Sequence, residues 1–329
     1  MSARASQRHA SAHWRGLTTA VSLLALFAAG GVLYLAWALA AHARGVAVPW
    51  LVAGAPAVYL GIFAAFTGVW FLLAWIYRAR RPADARLGLG ASVELFVDEW
   101  ITLLGSGLRM GFGWWFMRDP RPQPACAPVL LVHGVLCNAG VWIGMRDALR
   151  RMGIGPVYTI SLGPPLASID RFADQLARRI DAILIDTGAR ELSLVGHSMG
   201  GIVARAYLQR HGSDRVARLV TIGTPHAGSV HAWLFPGTSL RQLRPGNAWL
   251  DALNAAPLPS IPIVSIWSWH DSMVAPQDSS MLPGAHNIAL KGIGHNALLR
   301  NDSVRRLVAD ALIGRVPAAA ATLTSECPA

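Results

Sequence analysis

Two stretches of the chain, residues 17–41 and 46–77, contain no Asp, Glu, Lys or Arg. A helix needs about 20 consecutive apolar residues to cross the hydrocarbon core of a bilayer, and each stretch is longer than that. Core helices of soluble proteins rarely run so far without a charge, so the pattern predicts two membrane-spanning helices joined by a short loop near residues 43–48. Pro49 and Pro56 fall early in the second stretch and are expected to shorten its helix or kink it. Ala38-Leu39-Ala40 and Ala41-His42-Ala43 have the small-residue spacing of a signal-peptide cleavage site. A signal's apolar region runs only about 7–15 residues, and here a second long apolar segment follows, so a retained anchor is expected.

The formal net charge is +11, and Lys291 is the only lysine. Arg4, Arg8 and Arg15 precede the first apolar stretch, Arg78, Arg80 and Arg81 follow the second, and only Arg44 lies between them. Cationic side chains collect on the cytoplasmic side of a membrane, where they meet anionic headgroups. Both ends of the chain are therefore expected in the cytoplasm, against the inner face of the cytoplasmic membrane. No Arg-rich block is interleaved with aromatic residues, so the expected partner is the bilayer and not nucleic acid. Cys126, Cys137 and Cys327 are odd in number and lack metal-ligand spacing, which predicts no disulfide framework.

Composition divides the chain into a basic tail (1–16), two transmembrane helices (17–77), an interfacial linker (78–127), a globular domain (128–316) and a loose Ala-rich tail (317–329). In the linker, Gly88, Gly90, Gly105, Gly107, Gly111 and Gly113 are expected to interrupt any long helix. Residues 93–104 fit a short amphipathic helix, with Glu94, Asp98 and Glu99 on its polar side and Leu95, Phe96 and Ile101 on its apolar side. Trp100, Trp114, Trp115 and Phe116 suit a membrane interface and equally a contact with the globular domain. Pro120, Pro122, Pro124 and Pro128 mark a stiff boundary. Beyond it, apolar runs predict strands at 129–132, 192–196, 219–222, 261–266 and 288–290. Helical spacing covers 141–152, 169–185, 199–210 and 303–313, with Phe172, Leu176, Ile180 and Ile183 on one face of the second. This alternation predicts a mostly parallel sheet with helices on both faces.

Gly196-His197-Ser198-Met199-Gly200 follows the predicted strand 192–196 and opens the helix at 199–210. A G-x-S-x-G nucleophile requires that setting: the serine occupies a sharp strand-to-helix turn, and the glycines admit close backbone packing. A serine hydroxyl is a weak nucleophile at neutral pH and needs a base that a carboxylate orients. With this motif the three follow in the chain order serine, acid, histidine. Asp271 lies just past the strand 261–266 and is preferred as the acid over Asp278, deeper in the following loop. His295 follows the last strand and is preferred as the base. His286 begins that strand, at the wrong end of the sheet; His270 adjoins the acid; His226 follows an earlier strand and is expected beside the pocket. The oxyanion of an acyl intermediate needs two backbone donors, assigned to the amides of Val135 and Met199. His133, in the same turn as Val135, is expected to shape that turn and border the substrate.

Leu131-Val132-His133-Gly134, the run Gly196–Arg205 and the run Thr221–Ser229 together resemble bacterial triacylglycerol lipases and related esterases. Gly196–Arg205 also resembles deacylases acting on inositol-linked lipids. The likeness covers about residues 128–315 and implies an α/β-hydrolase fold, preceded here by a transmembrane helical hairpin. It places the nucleophile, acid and base on Ser198, Asp271 and His295. Some lipases of this kind hold calcium with acidic residues near the histidine; Asn296, Ala297 and Leu298 offer none, so neither metal nor cofactor is expected. Residues 226–259 make too long a link for an ordinary connection and are rich in Trp and Leu. Trp233 and Trp249 are the expected substrate contacts in a lid or acyl-binding wall, against the plainer reading of a cap packed on the core. The expected activity is hydrolysis of carboxylic esters of lipid-like substrates through an acyl-enzyme. A thioesterase, acyltransferase or haloperoxidase could use the same triad, and a non-catalytic membrane interaction protein is the alternative of a different class.

Overall fold

The short apolar runs beyond residue 127 assemble into one parallel sheet. In the computed structural model, which describes residues 2–121 and 127–315 (side chains of 2–15 and of Trp114 excepted), its order is β2-β1-β3-β4-β5-β6, and every neighbouring pair is parallel. The strands are β1 (Val129–Val132), β2 (Val157–Ile160), β3 (Leu192–His197), β4 (Val216–Ile222), β5 (Ile263–Ser268) and β6 (His286–Leu290). The side chains of Arg4, Arg8, Arg15 and Trp114, together with Pro122, Pro124, Cys126, Cys327 and the tail 317–329, lie outside the described parts.

Strands covered on both faces read as continuous apolar runs, because alternate side chains enter two different cores. Leu130 and Leu194 pack with α5 (Ile169–Thr187) and α6 (Met199–His211) on one face. Leu131, Val195 and Val220 pack with α4 (Ile143–Arg151) and α9 (Asp302–Leu312) on the other. The α5 helix begins where the Ser168 side chain accepts from the Arg171 amide, and ends at left-handed Gly188 (φ 68°). Its predicted stripe of Phe172, Leu176, Ile180 and Ile183 is buried, each side chain contributing on the order of 1.5–3 kcal/mol. The helix expected over 141–152 divides into a 3-10 turn, Ala139–Trp142, and α4, because Asn138 caps the turn first by accepting from the Gly140 amide.

The two apolar stretches form α1 (Ser2–Ala43) and α2 (Val48–Ile76). Within their most apolar windows only 6% and 11% of residues are buried, so neither is a core helix of this protein. The Tyr34 hydroxyl donates to the Leu51 carbonyl and the Tyr59 hydroxyl to that of Phe27, both at 2.7 Å, tying the two helices together. Pro49 sits in the first turn of α2, where its missing N–H costs nothing, and the helix runs on through Pro56.

The linker departs from expectation. Instead of a short helix over 93–104, α3 spans Leu89–Gly111 without a break at Gly90, Gly105 or Gly107. An interior glycine costs a helix about 1 kcal/mol, and packing outweighs this: α3 lies against both α1 and α2. Its buried residues include Ser106, Gly107 and Gly111, and Gly111 faces Leu24 of α1. Trp115 and Phe116 are exposed and Trp100 is half-buried.

The long link between β4 and β5 holds a 3-10 turn (Val230–Trp233), α7 (Thr238–Gln242) and α8 (Ala248–Ala255). Leu240, Leu243, Leu250 and Leu253 join the core on the α5–α6 face, so the segment is a packed cap. Trp70 of α2 stacks on its His231 and Phe235, with ring centroids 4.7 and 6.1 Å apart.

Candidate active site

Strands β1, β3, β4, β5 and β6 all deliver the candidate residues at their carboxyl ends, where open α/β sheets bind ligands. Ser198 follows β3 with φ 54° and ψ −128°, a conformation that costs a non-glycine residue on the order of 1–3 kcal/mol. Its amide donates to the Ile222 carbonyl at 2.9 Å, which holds the turn. The motif's glycines are sterically required: a Cβ on Gly200 would overlap the Val132 carbonyl, and one on Gly196 the backbone of Gly201.

Asp271 and His295 meet. His295 Nδ1 lies 2.8 Å from Asp271 Oδ2, and both side chains are buried. The other oxygen, Oδ1, accepts from the Met273 and Val274 amides, each at 2.8 Å, which fixes the carboxylate's orientation. Gly223, at the end of β4 with φ 52°, leaves room for the pair: a Cβ there would stand 3.1 Å from Asp271 Oδ2 and 3.2 Å from His295 Nδ1. Burial opposes the charged form of His295. The Asp271 charge and hydrogen bond, with the Glu99 charge, outweigh it and raise its pKa above the ordinary value. The His295 ring lies 4.6 Å from that of His197, the residue before Ser198, and its carbonyl is 3.2 Å from His197 Nε2.

The rival residues lie elsewhere. Asp278 is exposed. His286 opens β6, at the far end of the sheet. His270 Nδ1 accepts from the Gly292 amide at 3.1 Å. His226, expected beside the pocket, is buried instead between Arg205 and Thr221, at 3.3 and 3.2 Å. His133 accepts from the Leu162 amide on Nε2, so its Nδ1–H donates to the Gly134 carbonyl, both at 2.9 Å. Burial lowers its pKa to about 4.

Val135 and Met199 border one small cavity together with His133, Leu162, Leu166 and Phe172. Its volume is about 10 Å³, room for one water-sized group. Neither the Val135 nor the Met199 amide donates to an acceptor among the described residues. Thr19 of α1 closes the cavity from the hairpin side. Trp233 and Trp249 are not among its lining residues: Trp233 is exposed beneath the Arg244 guanidinium, 4.3 Å from its ring centroid, and Trp249 packs partly against the core.

Glu99 was legible only as one of three acids on a helix's polar side; the structure buries it behind the Asp271–His295 pair. Its carboxylate accepts from the Ser272 hydroxyl (2.9 Å), the Asn296 amide (2.9 and 3.1 Å), the Asn296 side-chain amide (2.9 Å) and the Ala297 amide (3.0 Å). A lone acid 173 to 198 positions from its partners leaves no local sequence signal.

The α/β-hydrolase fold family model matches residues 127–248, a span that includes Ser198 and stops before Asp271 and His295. Triacylglycerol lipases of Pseudarthrobacter phenanthrenivorans and Burkholderia plantarii are 34% identical to the chain over 118 residues, covering 32% of it and 35% and 31% of themselves. The Vibrio cholerae triacylglycerol lipase is 34% identical over 115 residues, covering 33% of the chain and 36% of that lipase. The chain thus spans about a third of the length of these curated relatives. Among solved structures, mature Bacillus licheniformis lipase superposes with a TM-score of 0.52 at 19% identity, over 59% of this chain and 95% of that one. Aspergillus fumigatus lipase B does so at 0.52 and 21%, over 57% and 52%. The protein has the α/β-hydrolase fold, with two long apolar helices before it. Over that matched third it is a distant homologue of bacterial triacylglycerol lipases.

Proposed function

We propose that the protein is a membrane-anchored serine hydrolase that cleaves carboxylic esters of lipid-like substrates. The observation that carries this reading is the buried Asp271–His295 pair at the strand ends, its imidazole 4.6 Å from the ring of His197, the residue before a serine in a strained strand-to-helix turn. Ser198 Oγ attacks the ester carbonyl and its proton passes to His295 Nε2, while Asp271 accepts from Nδ1–H and stabilises the imidazolium. The oxyanion occupies the cavity bordered by the Val135 and Met199 amides. The tetrahedral intermediate collapses as His295 returns the proton to the leaving alkoxide, and the alcohol departs from a Ser198 acyl ester. Water then attacks that ester, giving its proton to His295, and releases the carboxylic acid and free Ser198.

The apolar faces of α1 and α2 anchor the domain in the bilayer, where lipid esters concentrate. The arginines outside the hairpin place it on the cytoplasmic side. Relatives named as triacylglycerol lipases support the choice of lipid esters. The test is a panel of acyl esters and thioesters assayed on the full chain in detergent micelles, with Ser198→Ala as control. Octanoyl or longer esters should be turned over best by wild type and not by the variant. Preference for thioesters would replace the ester reading with a thioesterase, and equal turnover by the variant would remove Ser198 from the chemistry. Protease protection in intact spheroplasts tests the side of the membrane: digestion from outside contradicts the cytoplasmic assignment.

A further inference from the structure

Glu99 belongs to α3, in the part of the chain that precedes the matched hydrolase family span, yet its carboxylate ends in the loops carrying the proposed acid and base. It binds Ser272, the residue after Asp271, and Asn296, the residue after His295. On the other side of His295, a Cβ on Gly294 would overlap the Glu99 carboxylate, so the chain there runs against it as closely as glycine allows. Glu99 is 1% exposed. A buried carboxylate is held only when it is well hydrogen-bonded, and these donors come from the two loops that must stay in register.

We propose that Glu99 is a positioning residue: its carboxylate clasps the Asp271 and His295 loops and thereby makes the triad's geometry depend on the docking of α3. This inference rests on the proposed roles of Ser198, Asp271 and His295. Because α3 packs on α1 and α2, the clasp connects the anchor to the reacting groups through one helix. The charge has a second consequence. The groups facing His295 are Asp271 from the β5 loop, Glu99 from α3, His197 from β3 and His231 from the cap. Asp271 and Glu99 are the two that favour imidazolium. His197 and His231 are held neutral, their pKa values lowered chiefly by burial.

The experiment compares wild type, Glu99→Gln, Glu99→Asp and Ser198→Ala as full chains in detergent, with rates normalised to the concentration of folded, monodisperse protein. Glu99→Gln should lower kcat by about 10- to 100-fold, the cost of a small misplacement of reacting groups, with KM nearly unchanged. The acidic limb of its kcat/KM–pH profile should move to lower pH, because one of the two charges that hold the proton on His295 is gone. Glu99→Asp should recover part of kcat and most of the limb's position. A Glu99→Gln enzyme with wild-type kcat and an unmoved limb overturns the proposal. If that variant does not fold, Ser272→Ala, which removes one arm of the clasp, must lower kcat several-fold with KM held, and an unchanged kcat overturns the proposal equally. Full turnover by Ser198→Ala would instead overturn the triad itself, a separate result.

Discussion

Leu26, Leu33, Ile62 and Leu72 of the hairpin are 54–71% exposed, whereas Leu130, Leu131, Leu194 and Val195 of the sheet are 0% exposed. The side chains are of one kind and their surroundings opposite. In the sheet, apolar groups find each other and exclude water; in the hairpin they point outward, which is stable only where the surroundings are also apolar. On the proposed membrane reading one sequence carries two solvents, with α3 packed on the hairpin. The hairpin's internal ties include the Tyr34 and Tyr59 hydroxyls on backbone carbonyls, which suits the proposed membrane reading, where lipid gives two helices no hydrophobic reason to associate.

The same substitution should have opposite outcomes in the two regions. Leu194→Arg buries an unpaired charge in the sheet, at a cost of several kcal/mol against a total stability of about 5–15 kcal/mol. No folded protein should be recovered. Ile62→Arg, midway along α2, should leave the detergent-solubilised melting midpoint and turnover unchanged. It should weaken retention in alkali-washed membranes, where an arginine at a helix centre costs about 2.5–3.5 kcal/mol. An Ile62→Arg protein that fails to fold in detergent would make the hairpin a core element and break the comparison.

Within the sheet's own ends, His295→Ala should lower kcat/KM at least about 10³-fold, while His286→Ala, at the opposite end of β6, should change it little. Equal losses from the two would remove the distinction between the strand ends. A third test concerns the boundary. Each acyl methylene buried against apolar wall contributes about 0.8 kcal/mol, roughly fourfold in kcat/KM, so octanoyl esters should be strongly preferred to acetyl esters. Trp233→Ala/Trp249→Ala should leave that preference nearly unchanged, because neither ring borders the cavity. A steep preference for acetyl esters would mark a small-molecule esterase with a closed cap.

The smallest effect concerns pH. His133 and His231 are held neutral by burial, with pKa values lowered to about 4. Unfolded imidazoles take up protons near 6.5, so these residues withdraw stability as pH falls from about 6.5 to 4. His295 runs the other way: its raised value adds stability that is fully present below 6.5 and lost as pH rises through its folded value. Burial lowers His197, His226 and His270 as well, so five lowered residues oppose one raised and the melting midpoint should fall on acidification across that window. An unchanged midpoint would indicate that solvent reaches the buried rings.

Sequence reading located the strand-to-helix turn at Ser198 and the two polar residues, Asp271 and His295, that the structure pairs, because each is a local event: a motif bounded by a strand and a helix, or a polar residue just past an apolar run. Strand β2 was not picked out although it lies between the periodic segments 141–152 and 169–185: Val157–Ile160 is interrupted by Thr159 and is not a continuous apolar run like Val129–Val132. The length of α3 was misjudged because its glycines were weighed as helix breakers, while the packing that tolerates them lies on α1 and α2. Glu99 was unreadable for the same reason in stronger form: its role is set by donors in loops nearly 200 positions away.

The most direct test of the central claim, that Ser198 is a nucleophile activated by His295 and Asp271, is covalent. The full chain in detergent is treated with a fluorophosphonate and the adduct is mapped by peptide mass spectrometry. Wild type should carry one adduct, on Ser198, absent from Ser198→Ala and formed far more slowly by His295→Ala and Asp271→Ala. An unlabelled wild type, or a label that persists in Ser198→Ala at the same rate, would contradict it.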